Sequence, residues 1–304
     1  MKEKTVSIID IINYIRPLIK TIYGETAGLF IDNIPVLGNE NLNSLNWIKA
    51  SNSTPQKIAE SSQSRVLIVG ENVEYSDVLK KQGKVLIVVE NPRLCVARVI
   101  KQFFIEEPES IIHKSSYIDP KAIIGENVFI GANSSIGNCV IGDNVQIHSN
   151  VTLYDNVIVH NNVTIHSGSV LGVDGLGCER LSDGTLEKFP HIGRLIIEEK
   201  VDIGANCQIA KGTLSDTIIG CGCKINAGCN IAHNVLIGKN VWISPHVIIG
   251  GSAKINDNAT LFIGCMIRDN RTIGINSIIG IGSVVTKNVP AGETWVGNPA
   301  CKLR

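Results

Sequence analysis

The sequence is poor in aromatic residues, which make up 5% of the chain, and its 28 basic and 28 acidic residues leave no net charge. This balance gives no electrostatic reason to expect binding to nucleic acid or to an anionic membrane. No apolar run reaches the roughly 18 residues that a membrane-spanning helix needs. Isoleucine, valine and glycine are abundant instead, which indicates many short strands joined by tight turns.

The cysteines do not form a familiar metal-binding or disulfide pattern. There are nine of them, an odd number, with no CxxC motif, and Cys221 and Cys223 are too close for the usual zinc-finger spacing. We therefore expect reduced, mostly buried thiols in a cytoplasmic protein. The N-terminal segment 1–20 is interrupted by polar residues such as Asp10 and Arg16, so it predicts an amphipathic helix and not a signal peptide.

An aliphatic residue recurs at every sixth position from Ile118 onward, with few breaks. A period of six does not fit an amphipathic helix, whose period is about 3.6 residues. It is typical of a hexapeptide parallel β-helix, in which each repeat is a short strand followed by a turn. The positions are Ile118, Ile124, Ile130, Ile136, Ile141, Ile147, Leu153, Val159, Ile165, Leu171, Ile197, Ile203, Ile209, Ile219, Ile225, Ile231, Ile237, Ile243, Ile249, Ile255, Leu261, Ile267, Ile273, Ile279 and Val285.

These 25 positions predict the architecture of most of the chain. Three hexapeptides form one triangular coil, so residues 18 apart stack and the aliphatic side chains build a column along the axis. The predicted fold class is mostly β: a left-handed parallel β-helix of about eight coils with a small N-terminal α/β domain. The predicted boundaries are 1–108 for the N-terminal domain, 109–289 for the β-helix and 290–304 for a C-terminal tail.

The N-terminal domain lacks the period of six. Segments 65–70 and 84–90 predict strands, and 91–104 predicts a helix with Asn91 as its N-cap and Pro92 in its first turn. No GxGxxG motif follows a strand, which argues against a dinucleotide site in this domain.

Two interruptions of the repeat predict loops that leave the prism wall. The step from Leu171 to Ile197 is 26 residues instead of six, and the step from Ile209 to Ile219 is ten. Loops on a rigid scaffold are where binding and chemistry concentrate.

His233 lies two residues after an inward-pointing isoleucine, so its side chain is expected on the outer wall of the prism beside a turn. Counting across the four-residue insertion puts Lys211 one coil below it and Gly251 one coil above. The glycine would leave space beside the imidazole, and the lysine would hold an anionic group of a substrate. The alternative is a solvated histidine of the scaffold.

The other histidines on the prism serve as a comparison. His148 and His166 are 18 residues apart and should stack, and His160 lies on an adjacent side. Zinc hydratase sites on hexapeptide prisms use three histidines, two of them five residues apart, and no two histidines here have that spacing. We expect surface histidines and no metal site.

Several segments resemble one family closely. "GSVLGVDGLG" (168–177), "FPHIGRLIIEEKVDIGANCQI" (189–209), "LSDTIIGCGCKI" (214–225) and "CNIAHNVLIG" (229–238) resemble the UDP-3-O-acylglucosamine N-acyltransferases of lipid A synthesis. "VVENPRLCVARVI" (88–100) resembles the end of that family's N-terminal domain. The resemblance covers about residues 40 to 285.

This resemblance implies a homotrimer with active sites in clefts between subunits. It implies transfer of an acyl chain from acyl carrier protein to the amine of a nucleotide-linked sugar, with no permanently bound cofactor and with His233 as the catalytic histidine. A histidine that titrates near neutral pH can accept the proton that an attacking amine must lose. Asp174 of "DGLG" is a substrate-binding candidate, and Asn234 is expected mainly to shape the turn.

The sequence also departs from the family pattern. The family sandwiches uracil between two aromatic residues six apart; Trp47 fits the first position, but Ser53 occupies the second. Trp47 therefore has two interpretations, a stacking platform for a base or a residue of the domain core. A later histidine of the family corresponds to Asn270, which is a substrate-binding candidate together with Asp216, Asn234 and Gly251.

The segment "IAKGTLSDT" differs from the family's "IDRGALDDT". Ala210 and Ser215 replace acidic residues, while Asp216 is retained and Lys211 keeps the positive charge. The ending "VPAGETWVGNPACKLR" resembles the small CoA-dependent sugar acetyltransferases of the same superfamily. Three interpretations stay open: acyl transfer from a carrier protein for lipid A, short-chain acyl transfer from CoA for a surface polysaccharide, and a non-catalytic structural prism.

Overall fold

A computed structural model describes residues 5–49, 51–106 and 108–303. The chain divides into two compact units, Met1–Glu107 and Pro108–Arg304. The division lies one residue before the boundary drawn from the sequence. Within the described residues, no helix is both long and apolar enough to cross a membrane.

The first unit is an α/β domain built on a four-stranded sheet. Its order is β2–β6–β5–β4, with β2 antiparallel to β6 and the other pairs parallel. A short antiparallel pair, β1 and β3, lies beside it. The strands are β1 (Val6–Ser7), β2 (Ile19–Tyr23), β3 (Phe30–Ile31), β4 (Leu45–Trp47), β5 (Val66–Val69) and β6 (Val85–Val89), and the helices are α1 (Ile8–Ile15), α2 (Pro55–Ser61), α3 (Asp77–Lys81) and α4 (Pro92–Val99), with a 3-10 turn Arg16–Leu18 and a π-helical turn Ile100–Phe104.

The central strands β5 and β6 are buried on both faces, which explains their unbroken aliphatic sequence. Alternate residues enter two separate cores: Ile68 and Ile87 pack with residues of α1 and α4, and Leu67 and Leu86 with residues of α2 and α3. As predicted, Asn91 caps α4, since its Oδ1 accepts a hydrogen bond from the Leu94 amide at 3.0 Å.

The amphipathic helix predicted over residues 1–20 is only partly correct. Residues 1–4 lie outside the described residues, and α1 ends at Ile15 because Pro17 cannot donate the hydrogen bond of a continuing helix. From Ile19 the chain is a strand of the sheet.

The second unit is a parallel β-helix whose three walls are three stacked sheets. The first sheet contains β7 (Tyr117–Ile118), β10 (Ser135–Ile136), β13 (Thr152–Leu153), β16 (Val170–Val173), β21 (Gln208–Ala210), β24 (Asn230–Ile231), β27 (Ile248–Ile249), β30 (Met266–Ile267) and β33 (Val284–Val285). The second contains β8 (Ile123–Ile124), β11 (Val140–Ile141), β14 (Val157–Val159), β19 (Leu195–Ile197), β22 (Thr217–Ile219), β25 (Leu236–Ile237), β28 (Lys254–Ile255) and β31 (Thr272–Ile273). The third contains β9 (Phe129–Ile130), β12 (Gln146–Ile147), β15 (Thr164–Ile165), β20 (Asp202–Ile203), β23 (Lys224–Ile225), β26 (Trp242–Ile243), β29 (Thr260–Leu261), β32 (Ile278–Ile279), β34 (Thr294–Val296) and β35 (Cys301–Lys302).

The predicted aliphatic column is confirmed. Every position of the repeat belongs to the core of the second unit, and only Ile118 and Ile124, in the first coil, are less than fully buried. The first wall stacks nine strands, in agreement with the expected number of about eight coils. The fold class read from the period of six, a left-handed parallel β-helix with a small α/β domain, is correct.

A second inward position, two residues before each aliphatic one, takes small side chains. Five of the nine cysteines occupy it: Cys139, Cys207, Cys223, Cys229 and Cys265. Burial raises the pKa of the Cys139 and Cys223 thiols to about 11 and that of Cys265 to about 12. These three cysteines therefore fill the core as protonated thiols and are poor nucleophiles.

Turns at the prism corners use asparagine in the left-handed conformation. Among the residues that the structure describes, fifteen non-glycine residues have positive φ; twelve of them are asparagines, and all fifteen lie in the second unit. Asparagine tolerates this conformation better than other side chains with a Cβ. Asn234 is one of them, with φ of 60°.

Segment 290–303 pairs with the strands of the second unit and is not a separate tail. β34 pairs in parallel with β32, and β35 turns back to pair with β34. Ala300 between them is buried against the column. Segment 174–194, between β16 and β19, leaves the wall as predicted and contains a small antiparallel hairpin, β17 (Cys178–Arg180) and β18 (Leu186–Lys188).

Candidate active site

His233 stands at the corner between the first and second walls, just after β24. Ile231 pairs with Ile209 in the coil below and with Ile249 in the coil above, as predicted. This register places Lys211 and Gly251 on either side of His233. The imidazole is half-buried and lies outside the column.

Two glycines flank the His233 ring. A Cβ on Gly251 would stand 3.0 Å from both Cε1 and Nε2 of the ring, and a Cβ on Gly175 would stand 2.8 Å from Cδ2. Gly251 belongs to the next coil, whereas Gly175 belongs to the long loop between Leu171 and Ile197. The missing Cβ of Gly251 therefore lets the imidazole pack against the next coil, and Gly175 of the long loop packs against another side of the ring.

Asn234 fixes the orientation and the tautomer of His233. Its Oδ1 lies 2.8 Å from His233 Nδ1 and also accepts hydrogen bonds from the Oγ1 and the amide of Thr213, at 2.7 and 3.3 Å. Its Nδ2 donates to the carbonyl and the hydroxyl of Ser215, at 3.2 and 2.7 Å. Because these partners settle which end of the amide is oxygen, Nδ1 of His233 carries the proton and Nε2 keeps its lone pair toward Gly251.

The four-residue insertion between Ile209 and Ile219 supplies these partners. Thr213 and Ser215 hold the Asn234 amide, and the Asn234 backbone amide donates to Thr217 Oγ1 at 2.8 Å. Asn234 thus does more than shape the turn, which was its predicted role. Ser215, which replaces an acid of the family pattern, is an acceptor in this network.

Asp174, Lys188 and Lys211 form an ion cluster next to Gly175. Asp174 Oδ2 is 3.0 Å from Lys188 Nζ, and Asp174 Oδ1 is 3.1 Å from Lys211 Nζ. The hydrogen bond from Lys188, supported by Lys211, lowers the pKa of the Asp174 carboxyl. Only 12% of the Lys211 side chain is exposed, so its ammonium is held in place beside the site.

Asp216 is engaged by Arg194. Its two carboxylate oxygens accept hydrogen bonds from Nε and Nη2 of the guanidinium at 3.1 and 2.7 Å, and Oδ1 also accepts from the Arg194 amide at 3.1 Å. These bonds lower the pKa of the Asp216 carboxyl. The pair joins the end of the long loop to the short insertion.

His191 is a second histidine at this site and was not singled out from the sequence. It is 5% exposed, and its ring meets that of His233 edge to face, with centroids 5.3 Å apart and planes at 81°. Nδ1 lies 3.1 Å from the carbonyl oxygen of Phe189. Nε2 is buried without a hydrogen-bond partner in the described part of the chain.

Sequence reasoning also missed Lys188, Arg194 and Thr213. The motifs quoted around positions 189–209 contained His191 and Arg194, but nothing in the period of six says where residues of a non-periodic loop come to lie.

Asn270 lies at the same corner as His233, two coils farther along. It has a left-handed φ of 57°, and its Nδ2 donates to the neighbouring Asp269 at 3.1 Å. It does not contact His233 in this structure. Its proposed role in substrate binding stays a prediction.

The stacked surface histidines are found where the spacing placed them. The rings of His148 and His166 are nearly parallel, with centroids 4.7 Å apart. Burial, and secondarily His166, lowers the pKa of His148. Among residues 5–49, 51–106 and 108–303, no cluster of three histidine, cysteine or acidic side chains is arranged to hold a metal ion.

Trp47 lies at the end of β4 in the first unit. It packs partly against the core and also lines a cleft of about 360 Å³, together with Asn46, Asn52 and Lys49. Lys49 Nζ lies 6.0 Å from the centroid of the Trp47 ring. Both interpretations of Trp47 are therefore compatible with its position.

The hexapeptide repeat of the chain is also found in a known family model and in solved structures. Residues 138–172 match the family model "Bacterial transferase hexapeptide (six repeats)". The chain is similar to the UDP-N-acetylglucosamine acyltransferase of Bacteroides fragilis (27% identity, TM-score 0.58), with 64% of this chain covering 74% of that one. It is similar to the corresponding protein of Acinetobacter baumannii (26% identity, TM-score 0.58), with coverage of 63% and 73%.

Relatives of the chain are named for the same family that its sequence motifs resemble. A UDP-3-O-acylglucosamine N-acyltransferase of Caulobacter sp. (strain K31) is 36% identical over 138 residues, which are 45% of this chain and 40% of that protein. One of Methylobacterium nodulans is 39% identical over 137 residues, 45% of this chain and 39% of that protein. The match thus spans about two-fifths of the relatives' length. The second unit is a hexapeptide-repeat β-helix that resembles the UDP-3-O-acylglucosamine N-acyltransferases, as the sequence motifs predicted.

Proposed function

We propose that the protein transfers an acyl group from a thioester donor to the amine of a nucleotide-linked amino sugar. The observation that carries this proposal is the environment of His233. Its Nε2 is the ring nitrogen that the hydrogen bond between Nδ1 and Asn234 leaves free, and it lies next to Gly251, where a Cβ would stand 3.0 Å from it. The names of the relatives, N-acyltransferases of a UDP-linked sugar, support the same chemistry.

The reaction follows from the orientation of that nitrogen. The sugar amine attacks the thioester carbonyl, a C–N bond forms, and His233 Nε2 accepts the proton that the amine loses. The tetrahedral intermediate then collapses, the C–S bond breaks, and the departing thiolate takes the proton from His233. The products are an amide and a free thiol, and no group of the protein is bonded covalently to the acyl chain.

The Gly251 amide is the donor that we assign to the oxyanion of the intermediate. It donates no hydrogen bond within residues 108–303, and it lies one coil beyond His233. A backbone amide fixed beside the base is the kind of preorganised donor that stabilises a developing oxyanion.

Lys211 and Asp174 are placed to bind the acceptor sugar near the base. Asp174 is shared between Lys211 and Lys188, and only 12% of the Lys211 side chain is exposed. We propose that the pair hydrogen-bonds sugar hydroxyls, which can accept from the ammonium and donate to the carboxylate. The arrangement favours a neutral polar ring at this position.

Trp47 is proposed to stack on the base of the nucleotide. In that case Trp47→Ala raises KM for the nucleotide sugar and leaves kcat close to normal, because the lost stacking contact is worth about 1–3 kcal/mol. Steady-state kinetics with varied acceptor measure this. A melting temperature that falls while KM is unchanged would show that Trp47 serves only the domain core.

A homotrimer is the proposed assembly, and the sites are then completed by neighbouring chains. Such closed symmetry is common for soluble oligomers. Light scattering at micromolar concentration is expected to give three times the mass of the 32.8 kDa chain. A monomer would contradict shared sites.

The test of the function is a thioester-release assay. Acetyl-CoA, longer acyl-CoAs and acyl carrier protein loaded with acyl chains are each combined with a panel of nucleotide amino sugars. Turnover with a carrier protein supports the lipid A type of reaction, and turnover with acetyl-CoA supports the short-chain alternative. Absence of turnover with every pair would favour the non-catalytic prism.

A further inference from the structure

The His191 imidazole has one nitrogen with a partner and one without. Nδ1 faces the carbonyl oxygen of Phe189 at 3.1 Å, so Nδ1 carries the proton and donates it. Nε2 then keeps a lone pair, and it is buried without a partner. An unpaired buried polar atom destabilises a fold by about 1–3 kcal/mol, so the position of this lone pair needs an explanation.

The nitrogen that carries this lone pair and the edge of the His233 ring meet at Gly175. His191 Nε2 and His233 Cδ2 are both 2.8 Å from the point where a Cβ of Gly175 would stand. Cδ2 is bonded to Nε2 of His233, the atom that receives the proton in the reaction proposed above. The negative end of the His191 dipole is therefore close to the part of His233 that becomes positive.

We propose that His191 is a positioning residue that stabilises the protonated form of His233 through its Nε2 lone pair. This inference rests on the proposed function, because His233 becomes positively charged when it accepts the proton of the amine in that reaction. The glycine at position 175 is part of the arrangement, since a side chain there would overlap both rings. A fixed dipole that faces a charge developing in a dry site is an effective form of stabilisation.

Other charges around His233 are paired, and only the cluster of Asp174 with two lysines keeps a net charge, of one positive unit. Asp174 is paired with Lys188 and Lys211 near Gly175, and Asp216 is paired with Arg194 near Ser215. On the far side of Gly251, Asp269 is paired with Arg268. Asn234, which contacts His233 directly, is neutral. A substitution of His191 leaves these pairs in place. A change in kcat or in the protonation of His233 can therefore be assigned to loss of the His191 lone pair.

The experiment replaces His191 by phenylalanine, which keeps a planar ring and removes the lone pair. We expect kcat to fall by about tenfold with KM for donor and acceptor unchanged, less than the loss of a direct oxyanion donor. His191→Gln should recover most of kcat, because its amide oxygen offers a lone pair again. The melting temperature of His191→Phe should stay the same or rise, since an unpaired buried polar atom is removed.

A second measurement does not depend on turnover. NMR of protein with labelled histidine rings follows protonation of His233, and we expect the midpoint to move to lower pH by about half a unit or more in His191→Phe. His160→Phe, at an exposed histidine on another wall, is the control and should change neither kcat nor this midpoint. An unchanged midpoint in His191→Phe would overturn the inference. Failure of every substrate in the release assay would instead overturn the proposed function while the NMR result still decides the role of His191.

Discussion

His233→Ala is expected to lower kcat by roughly 10²–10⁴, the usual contribution of a positioned general base. The reason is that His233 Nε2 carries the lone pair that the Asn234 hydrogen bond leaves free, next to Gly251. KM for both substrates should change little, because the ion cluster of Asp174 and Lys211 remains. Stability should also change little, because the imidazole lies on the wall outside the column.

The matched control is His160→Ala, which removes an exposed histidine at a different corner of the prism. It should keep wild-type kcat. The measurement is thioester release by the protein at saturating donor and acceptor, with melting temperatures taken in parallel. Near-normal turnover by folded His233→Ala protein would show that His233 is a scaffold residue and not the general base.

Ile231→Ala should have the opposite result, a large loss of stability. Ile231 is 1% exposed and stacks between Ile209 and Ile249, which are equally buried. Removing its side chain leaves a cavity that rigid neighbouring coils cannot close, and such substitutions destabilise a core by about 2–5 kcal/mol. Equilibrium urea denaturation at one fixed protomer concentration measures the change, since association contributes to the stability of an oligomer.

Asn230→Ala is the control for this experiment. Asn230 is the neighbouring residue of the same short strand, but its side chain is exposed. Its substitution should change the free energy of unfolding by less than about 0.5 kcal/mol. Equal destabilisation by both variants would mean that the column is not the main source of stability at this coil.

The predictions that succeeded from the sequence concern features with a fixed period. An inward position every six residues is a local property of the chain. Because three hexapeptides make a coil of 18 residues, residues 18 apart stack on each other. The fold, the column and the stacking of His148 over His166 followed from that arithmetic. The positions of Lys211 and Gly251 around His233 also followed, because the short insertion adds a known number of residues to one side.

The predictions that failed or were missed concern segments without a period. Hydrophobic residues at 8, 11, 12 and 15 fit a helix that the sequence analysis extended to residue 20, but Pro17 ends the helix and Ile19 joins a sheet with distant strands. A strand that depends on partners far along the chain leaves little local signal. The segment after residue 289 seemed separate for the same reason, because its pairing with β32 is not periodic.

The sequence by itself determined the scaffold of this protein and the corner at which His233 stands, because short repeated strands and left-handed asparagine turns are encoded locally. Only the tertiary structure decided what surrounds the imidazole. The long loop brings His191 and Gly175 against the ring, and the short insertion brings Thr213 and Ser215 to the Asn234 amide. Those contacts depend on how two non-periodic loops pack on the wall, and packing between distant segments is set by the folded surface and not by any local pattern.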